Sequence, residues 1–339
     1  MPELRQDPVT REWVIIATER AKRPTDFQVQ RASAARQSSI ISQINTCPFC
    51  TGNESKTPPE ICAYRKPGTA PNTPGWWIRT VPNRFAALQI EGKSQRRELS
   101  NFFRIMDGIG AHEVIIETPE HCDTIGIIED RQAEEIVQMY LDRFLDLKKD
   151  PRFENVTCFR NRGSLAGASL FHPHSQLIAT PMVPNLLRRR LEMAFRYYDD
   201  HGKCVYCELI EKELTDGRRM VLANDEYVAF TPFASRVPFE TWIVPRDHRS
   251  AFESISREQC KAFGRTLNAV LGRLYRKLND PDYNYVIRTE PLCEDHSNCF
   301  HWSLHILPRL TTMAGFEMGS GMYINPMPPE NAAEFLRSN

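Results

Sequence analysis

One order of residues occurs twice along this chain of 339 residues. Each copy opens on a C-x-x-C, first Cys47-Pro48-Phe49-Cys50 and then Cys204-Val205-Tyr206-Cys207. A β-branched run follows, Glu113 to Glu117 before Pro119-Glu120-His121, and Glu240 to Val244 before Pro245-Arg246-Asp247-His248. Apolar residues then recur at helical spacing: Ile136, Tyr140, Phe144 and Leu147 in one copy, Phe263, Leu267, Val270, Leu271, Leu274 and Leu278 in the other. Both periodic stretches leave through an Asp-Pro, Asp150-Pro151 with Phe153 and Val156, and Asp280-Pro281 with Tyr283 and Val286. The copies close on Phe171-His172-Pro173-His174-Ser175-Gln176 and on Phe300-His301-Trp302-Ser303-Leu304-His305. His121 and His172 stand 51 residues apart, His248 and His301 stand 53 apart. Matched positions at matched intervals are the mark of a duplicated unit.

The order strand, helix, strand within each copy predicts an α+β fold. It would have two pseudo-equivalent halves, residues 1–195 and 196–339, each an antiparallel sheet with a long helix packed on it. Helices are expected over 129–149 and 256–279, and strands around Trp77–Val81 and Val228–Phe230. Residues 29–46 are polar and rich in Ser and Gln, residues 56–76 are rich in Pro, Gly and Thr, and both read as irregular. A short helix ends the chain.

Composition narrows the function classes. Apolar residues make up 41% and charged residues 25%, which excludes a membrane-embedded or disordered chain. Lys+Arg and Asp+Glu are both 43, and a net charge of zero argues against bulk binding to nucleic acid or to a membrane surface. A local basic pocket for a small anion stays open. No apolar leader is visible at the N-terminus and no run is long enough to span a bilayer, so the expected location is cytoplasmic. In a reducing compartment a C-x-x-C reads as metal binding or redox chemistry. The six scattered cysteines, Cys62, Cys122, Cys158, Cys260, Cys293 and Cys299, read mostly as small buried apolar side chains.

A structural zinc site needs four ligands at tetrahedral corners, and a C-x-x-C supplies two thiolates from one tight turn. The repeat then offers two histidines per half. The candidate sets are Cys47, Cys50, His121 and His172, and Cys204, Cys207, His248 and His301, giving two zinc ions per chain, with iron an alternative in either. Competing arrangements are one all-cysteine site, redox dithiols, or exchange of His112 for His121 and of His305 for His301. An all-cysteine site must bridge 153 residues between Cys50 and Cys204, and a redox dithiol is expected at the start of a helix in a βαβ unit.

The stretch from His172 to Gln176 carries the chemistry. In a strand, residues i and i+2 face the same side, so His172 can bind metal while His174 and Gln176 reach into one cleft. A neutral imidazole is a nucleophile, and attack on phosphorus splits one difficult transfer into two easier ones. The second copy has Ser303 where His174 falls, which confines chemistry to the first half. Metal ligation by both histidines, or a packed His174, is the alternative.

Further pieces make the sequence resemble the galactose-1-phosphate uridylyltransferase family of the histidine-triad superfamily along nearly its whole length. They are Asp7-Pro8-Val9-Thr10 with Trp13-Val14, Glu19 to Pro24, Pro82-Asn83-Arg84-Phe85-Ala86-Ala87-Leu88, Asn161, Gly167-Ala168-Ser169, Pro238 to Thr241 and Gly315-Phe316-Glu317. The resemblance implies a ping-pong nucleotidyl transfer, with UDP-glucose and galactose 1-phosphate as the family's pair. His174 would be the nucleophile, and Gln176, Ser169 and the backbone near Gly167 would bind the phosphoryl oxygens. Arg20 and Arg23 would lie near the nucleotide phosphates, Asn83, Arg84 and Phe85 along base and ribose, Asn161 at phosphates or ribose, and Glu317 at the hexose. Ser175 falls in the same motif and is counted with the substrate-binding set, although some members have Gly there. Arg84 stands where some have an acidic residue, and Cys204 and Cys207 stand where others use different ligands. That cysteine-rich version also resembles plant-type ADP-glucose phosphorylases, which pass an adenylyl group to phosphate. A homodimer is implied. The bland readings are a solvated basic turn at residues 20–23, a core Phe85, a tight turn at 315–317, and, for the whole chain, a non-enzymatic zinc-stapled nucleotide-binding module.

Overall fold

The computed structural model describes residues 1–18, 23–29, 46–121 and 124–338. Arg20, Cys122 and residues 30–45 lie outside the described residues.

A hairpin of β1 (Glu3–Gln6) and β2 (Trp13–Ile16) comes first. The first half then contributes β3 (Cys62–Arg65), β4 (Trp76–Pro82), the small hairpin β5 (Arg97–Leu99) and β6 (Phe103–Ile105), and β7 (Ala111–Ile116). Helix α1 (Asp130–Leu147), β8 (Asn155–Arg162) and β9 (His174–Thr180) complete it. Two helices, α2 (Asn185–His201) and α3 (Val205–Asp216), lead into β10 (Met220–Ala223), β11 (Tyr227–Phe230) and β12 (Thr241–Pro245). Helix α4 (Arg257–Leu278), β13 (Tyr283–Arg288) and β14 (Ser303–Pro308) follow. The chain closes with α5 (Gly315–Ser320), β15 (Tyr323–Asn325) and α6 (Pro329–Arg337).

The duplication is plain in the strand order. The first half runs β3-β4-β7-β9-β8, the second β10-β11-β12-β14-β13, and β8 pairs with β13 antiparallel. Two separate sheets were expected, yet this edge pairing joins them into one antiparallel sheet of ten strands. One row of paired residues crosses it: Val114, Gln176, Phe159, Val286, His305 and Trp242. The row reads the same from either end by place in the unit, so the pseudo-twofold axis passes between Phe159 and Val286. Joining the edges also removes two rows of unpaired backbone groups that each half would expose alone.

One face of the sheet is the main core. The apolar stripes of α1 and α4 pack there against Ile115, Cys158, Leu177, Tyr285, Leu304 and Ile306. Ser256 and Gln259 form a reciprocal cap at the start of α4, and Asn279, in the left-handed region, ends it. The two helices approach closely because residue 264 is glycine: a Cβ there would lie 2.6 Å from the Cα of Glu134. Both helices match the expected ranges. Helices α2 and α3 were not anticipated, nor was β3 within 56–76. Residues 315–317 lie in the short helix α5 rather than a tight turn. Of the scattered cysteines, Cys158, Cys260 and Cys299 are buried, Cys62 is half-buried and Cys293 is exposed. Among the described residues, no helix is long and apolar enough to cross a membrane.

The other face distinguishes the halves. In the second half α2 and α3 cover it with Leu187, Leu191, Ala194, Val205, Tyr206 and Ile210, packed on Val228, Phe230, Trp242 and Val244. In the first half the corresponding face is open beside His174.

Candidate active site

Two Cys/His clusters flank the sheet, and their members are the ones the repeat pairs. Cys47, Cys50, His121 and His172 form the first, Cys204, Cys207, His248 and His301 the second, each with its ligand atoms within 4.8 Å of one another. Cys50 Sγ lies 3.2 Å from His121 Nδ1 and 3.5 Å from His172 Nδ1, and Cys47 Sγ is 3.7 Å from His172 Nδ1. Zinc–ligand bond lengths at a tetrahedral angle place S and N about 3.6 Å apart, so the spacing fits the ion. The tautomers fit as well. His172 Nε2 meets the Thr118 carbonyl at 2.7 Å, His301 Nε2 meets that of Pro245 at 3.0 Å, and His248 Nε2 meets that of Ser297 at 2.5 Å. A ring that donates from Nε2 keeps its Nδ1 lone pair for a metal.

Burial lowers His172 to about 4, which keeps the ring neutral as a ligand must be. In the second cluster the hydrogen bond from Cys207, with others from His248 and His301, pulls Cys204 well below the usual thiol range, and Cys207 rises in response. Cys204 is the N-cap of α3, so this C-x-x-C opens a helix. No βαβ unit surrounds it.

His174 belongs to neither cluster. Its Nδ1 lies 2.8 Å from the carbonyl oxygen of His172, so Nδ1–H donates there and Nε2 carries the free lone pair. The ring is 7% exposed, and burial lowers its pKa, keeping it neutral. Phe49, from the middle of the first C-x-x-C, packs edge-on against it with centroids 5.3 Å apart. A cavity of about 330 Å³ opens beside it, lined by Phe49, Lys56, Asn83, Arg84, Phe85, Ser169 and Gln176 among others. That volume lies in the usual range for small-molecule sites.

The amide groups of the site have their oxygens occupied. Gln176 Oε1 lies 2.8 Å from His112 Nε2 and 3.3 Å from Asn83 Nδ2. Asn161 lines a smaller recess with His174, and its Oδ1 accepts from Asn284 Nδ2 at 2.7 Å. Arg309 in turn donates to Asn284 Oδ1. Both Gln176 and Asn161 therefore keep their NH₂ groups for an anion. Gly167 adopts φ +81°, and the Leu165 N–H bonds Asp282, which shapes the loop that carries Ser169 into the cavity.

Other expectations meet a different geometry. Ser175 does not face the cavity: strand alternation turns it to the helix side, fully buried, where its hydroxyl bonds Glu117 and, at 2.5 Å, Tyr140. Arg23 is exposed ahead of the turn Pro24–Phe27 and does not line the cavity, and that turn leads to the end of α4, where Val29 bonds Leu278. Glu317 caps its own short helix through the Ala314 N–H and is also absent from the cavity wall. Phe85 is 85% exposed at the rim, not in the core. His305 is no metal ligand: it is Gln176's counterpart, stacked on Trp242 at 4.1 Å and bonded to Ser303. The second half is thus filled where the first is hollow. His112, offered from sequence as an alternative to His121, lies outside the first cluster and bonds Gln176 and Ala87 instead, while Phe49 and Asn284 were not named as site residues. The i+2 alternation from His112 to Val114 in β7, beside Gln176, was the available signal for His112.

Residues 1–184 match the family described as "Galactose-1-phosphate uridyl transferase, N-terminal domain", and residues 110–338 match a domain of unknown function, DUF4921. The chain is 36% identical to an ADP-glucose phosphorylase of Arabidopsis thaliana over 340 residues, covering 99% of this chain and 92% of the relative. It is 31% identical to a galactose-1-phosphate uridylyltransferase of Thermotoga maritima over 346 residues, covering 99% and 98%. Among solved structures, an Arabidopsis thaliana ADP-glucose phosphorylase with bound ADP-glucose matches with a TM-score of 0.82, at 35% identity, covering 100% of this chain and 99% of that one. A uridylyltransferase structure matches at 0.74, with 26% identity, covering 99% and 98%.

Proposed function

The chain belongs to the galactose-1-phosphate uridyl transferase family, and from that premise we propose that it moves a nucleotidyl group from a nucleoside diphosphate hexose through a covalent bond to His174. The observation that carries this reading is the state of that one ring. Its Nδ1 proton is engaged by the His172 carbonyl, it is outside the metal clusters, and its Nε2 is free beside the cavity.

The His174 Nε2 lone pair attacks the α-phosphorus, an N–P bond forms, and the P–O bond to hexose 1-phosphate breaks. An acceptor oxygen then attacks the same phosphorus, and the N–P bond breaks in turn. Two in-line displacements retain configuration at phosphorus. The carbonyl of His172 takes the Nδ1–H bond that strengthens as the ring becomes cationic. The NH₂ groups of Gln176 and Asn161, with Ser169, face the phosphoryl oxygens, while Asn83, Arg84 and Phe85 receive the nucleoside. Arg20 and Glu317 serve phosphates and hexose as the resemblance has them, and Arg23 does so only if the nucleotide or a second copy reaches it.

Zinc in each Cys/His cluster would fasten the C-x-x-C loop to the strand ends. In the first cluster it would fix His172, whose carbonyl orients the nucleophile. A homodimer is part of the proposal: Leu99, Phe102, Phe103 and Ile105 stand exposed on the hairpin β5–β6, and Glu317, outside the wall of the cavity beside His174, would serve the hexose from a second copy.

The stronger likeness to the phosphorylase favours an adenylyl donor with inorganic phosphate as acceptor. The match of residues 1–184 favours the second reading, UDP-glucose with galactose 1-phosphate. The test is to incubate the protein with ADP-glucose or UDP-glucose labelled at the α-phosphorus, denature it and count acid-labile label. Label from one donor names the base, and release by phosphate or by hexose 1-phosphate names the acceptor. Equal labelling of His174→Ala would overturn the mechanism.

A further inference from the structure

We propose that His112 is a positioning residue that fixes which end of the Gln176 amide faces the substrate. This rests on the role of Gln176 in the nucleotidyl transfer proposed above. Two backbone donors in the loop after β4 have directions that are not open to choice. The Ala87 N–H lies 3.1 Å from His112 Nδ1, so that nitrogen accepts and the neutral ring carries its proton on Nε2. The Phe85 N–H lies 2.8 Å from Asn83 Oδ1, so the Asn83 NH₂ points the other way. Both remaining donors converge on one atom, Gln176 Oε1, at 2.8 Å and 3.3 Å. The 3.0 Å approach of Asn83 Nδ2 to His112 Nε2 is then the contact of two donors sharing an acceptor.

A reversed Gln176 would set its NH₂ against two donors. The amide is therefore held with its oxygen toward β7 and the loop, and its NH₂ is kept for an anion beside His174. An unheld amide turns either end to a phosphoryl oxygen, and the wrong end is repelled. A donor already aimed at the developing charge needs no reorganisation during the reaction. The second half supports the point by contrast: the residue paired as Gln176 is His305, fully buried and stacked on Trp242.

The test uses the full chain and whichever labelled donor the wild type accepts. Single-turnover labelling is measured alongside donor affinity for His112→Phe, His112→Asn and His112→Gln. The Phe and Asn variants should slow labelling about 10- to 100-fold, because neither places a donor where Nε2 stood. Their donor affinity should change less than about threefold, since only an orientation favoured in the transition state is lost. His112→Gln, whose amide reaches the Nε2 position, should stay within about fivefold of wild type. In the Gln176→Ala background His112→Phe should add less than about twofold, since the two act as one unit. Multiplying effects in that double variant, or full speed in His112→Phe, would overturn the proposal. Independently of activity, ¹⁵N shifts of the resting protein should show His112 protonated at Nε2, and protonation at Nδ1 overturns it as well. If the wild type takes no label while that tautomer is found, the transfer reading fails and the positioning geometry stands.

Discussion

The Nδ1–H of His174 donates to the carbonyl oxygen of His172, 2.8 Å away, and His172 is itself a member of the first Cys/His cluster. A candidate metal ligand and the proposed nucleophile thus lie two residues apart at one strand end. The His172 ring faces the Cys/His cluster, and its backbone carbonyl orients the His174 ring.

This link separates the two clusters. Cys50→Ser should reduce bound zinc from about two ions per chain to about one and slow labelling of His174 at least about tenfold, as loss of an orienting shell does. Cys207→Ser should lower the zinc content equally and lower Tm, yet leave labelling within about threefold, because no nucleophile depends on that cluster. Metal analysis and single-turnover labelling on the same samples check both. Equal loss of labelling in the two variants would disprove the coupling.

Ser175 lies in the motif between His174 and Gln176 but belongs to the core. Its hydroxyl joins Glu117, Tyr140 and Tyr285, the two tyrosine oxygens being 2.6 Å apart. Ser175→Ala should cost about 1–3 kcal/mol of stability, the usual result of leaving buried polar partners unmatched. The KM for the donor should stay within about twofold. Denaturant unfolding and steady-state kinetics read the two separately, and a large rise in KM with stability unchanged would put Ser175 in the substrate site.

Arg160 and Glu117 form an ion pair at 2.5 Å with both side chains 1% exposed. Removing one partner strands a charge in the core, so Arg160→Met should cost about 3–5 kcal/mol. The double variant Arg160→Met with Glu117→Gln should recover part of that loss. A double variant less stable than the sum of the singles would show that the pair is not the coupled unit.

The hairpin β5–β6 carries Phe102 at 81% and Phe103 at 61% exposure. The proposed homodimer would cover these two adjacent aromatics. Phe102→Asp with Phe103→Asp should halve the mass measured by light scattering without lowering Tm by more than a few degrees. An unchanged dimeric mass would place the interface elsewhere.

The sequence by itself determined the repeat, the two long helices and the membership of both Cys/His sets that the structure brings together, while it left open whether His174 joins His172 in the first of them. Each of these depends on spacing along the chain: the 3.6-residue stripe of α1 and α4, the two-residue alternation from His172 to Gln176, and the tight turn of a C-x-x-C. What only the tertiary structure decided is what comes together from distant segments. The pairing of β8 with β13 merges two sheets into one, because each half ends on an edge strand that needs a partner. Helices α2 and α3 fill the second half's face, so the two copies of one pattern become a packed wall and an open cavity. Ser175 turned to the core and His112 joined the site for the same reason. A side chain's neighbours are set by which face its strand presents and by what packs there, and neither is written in local spacing.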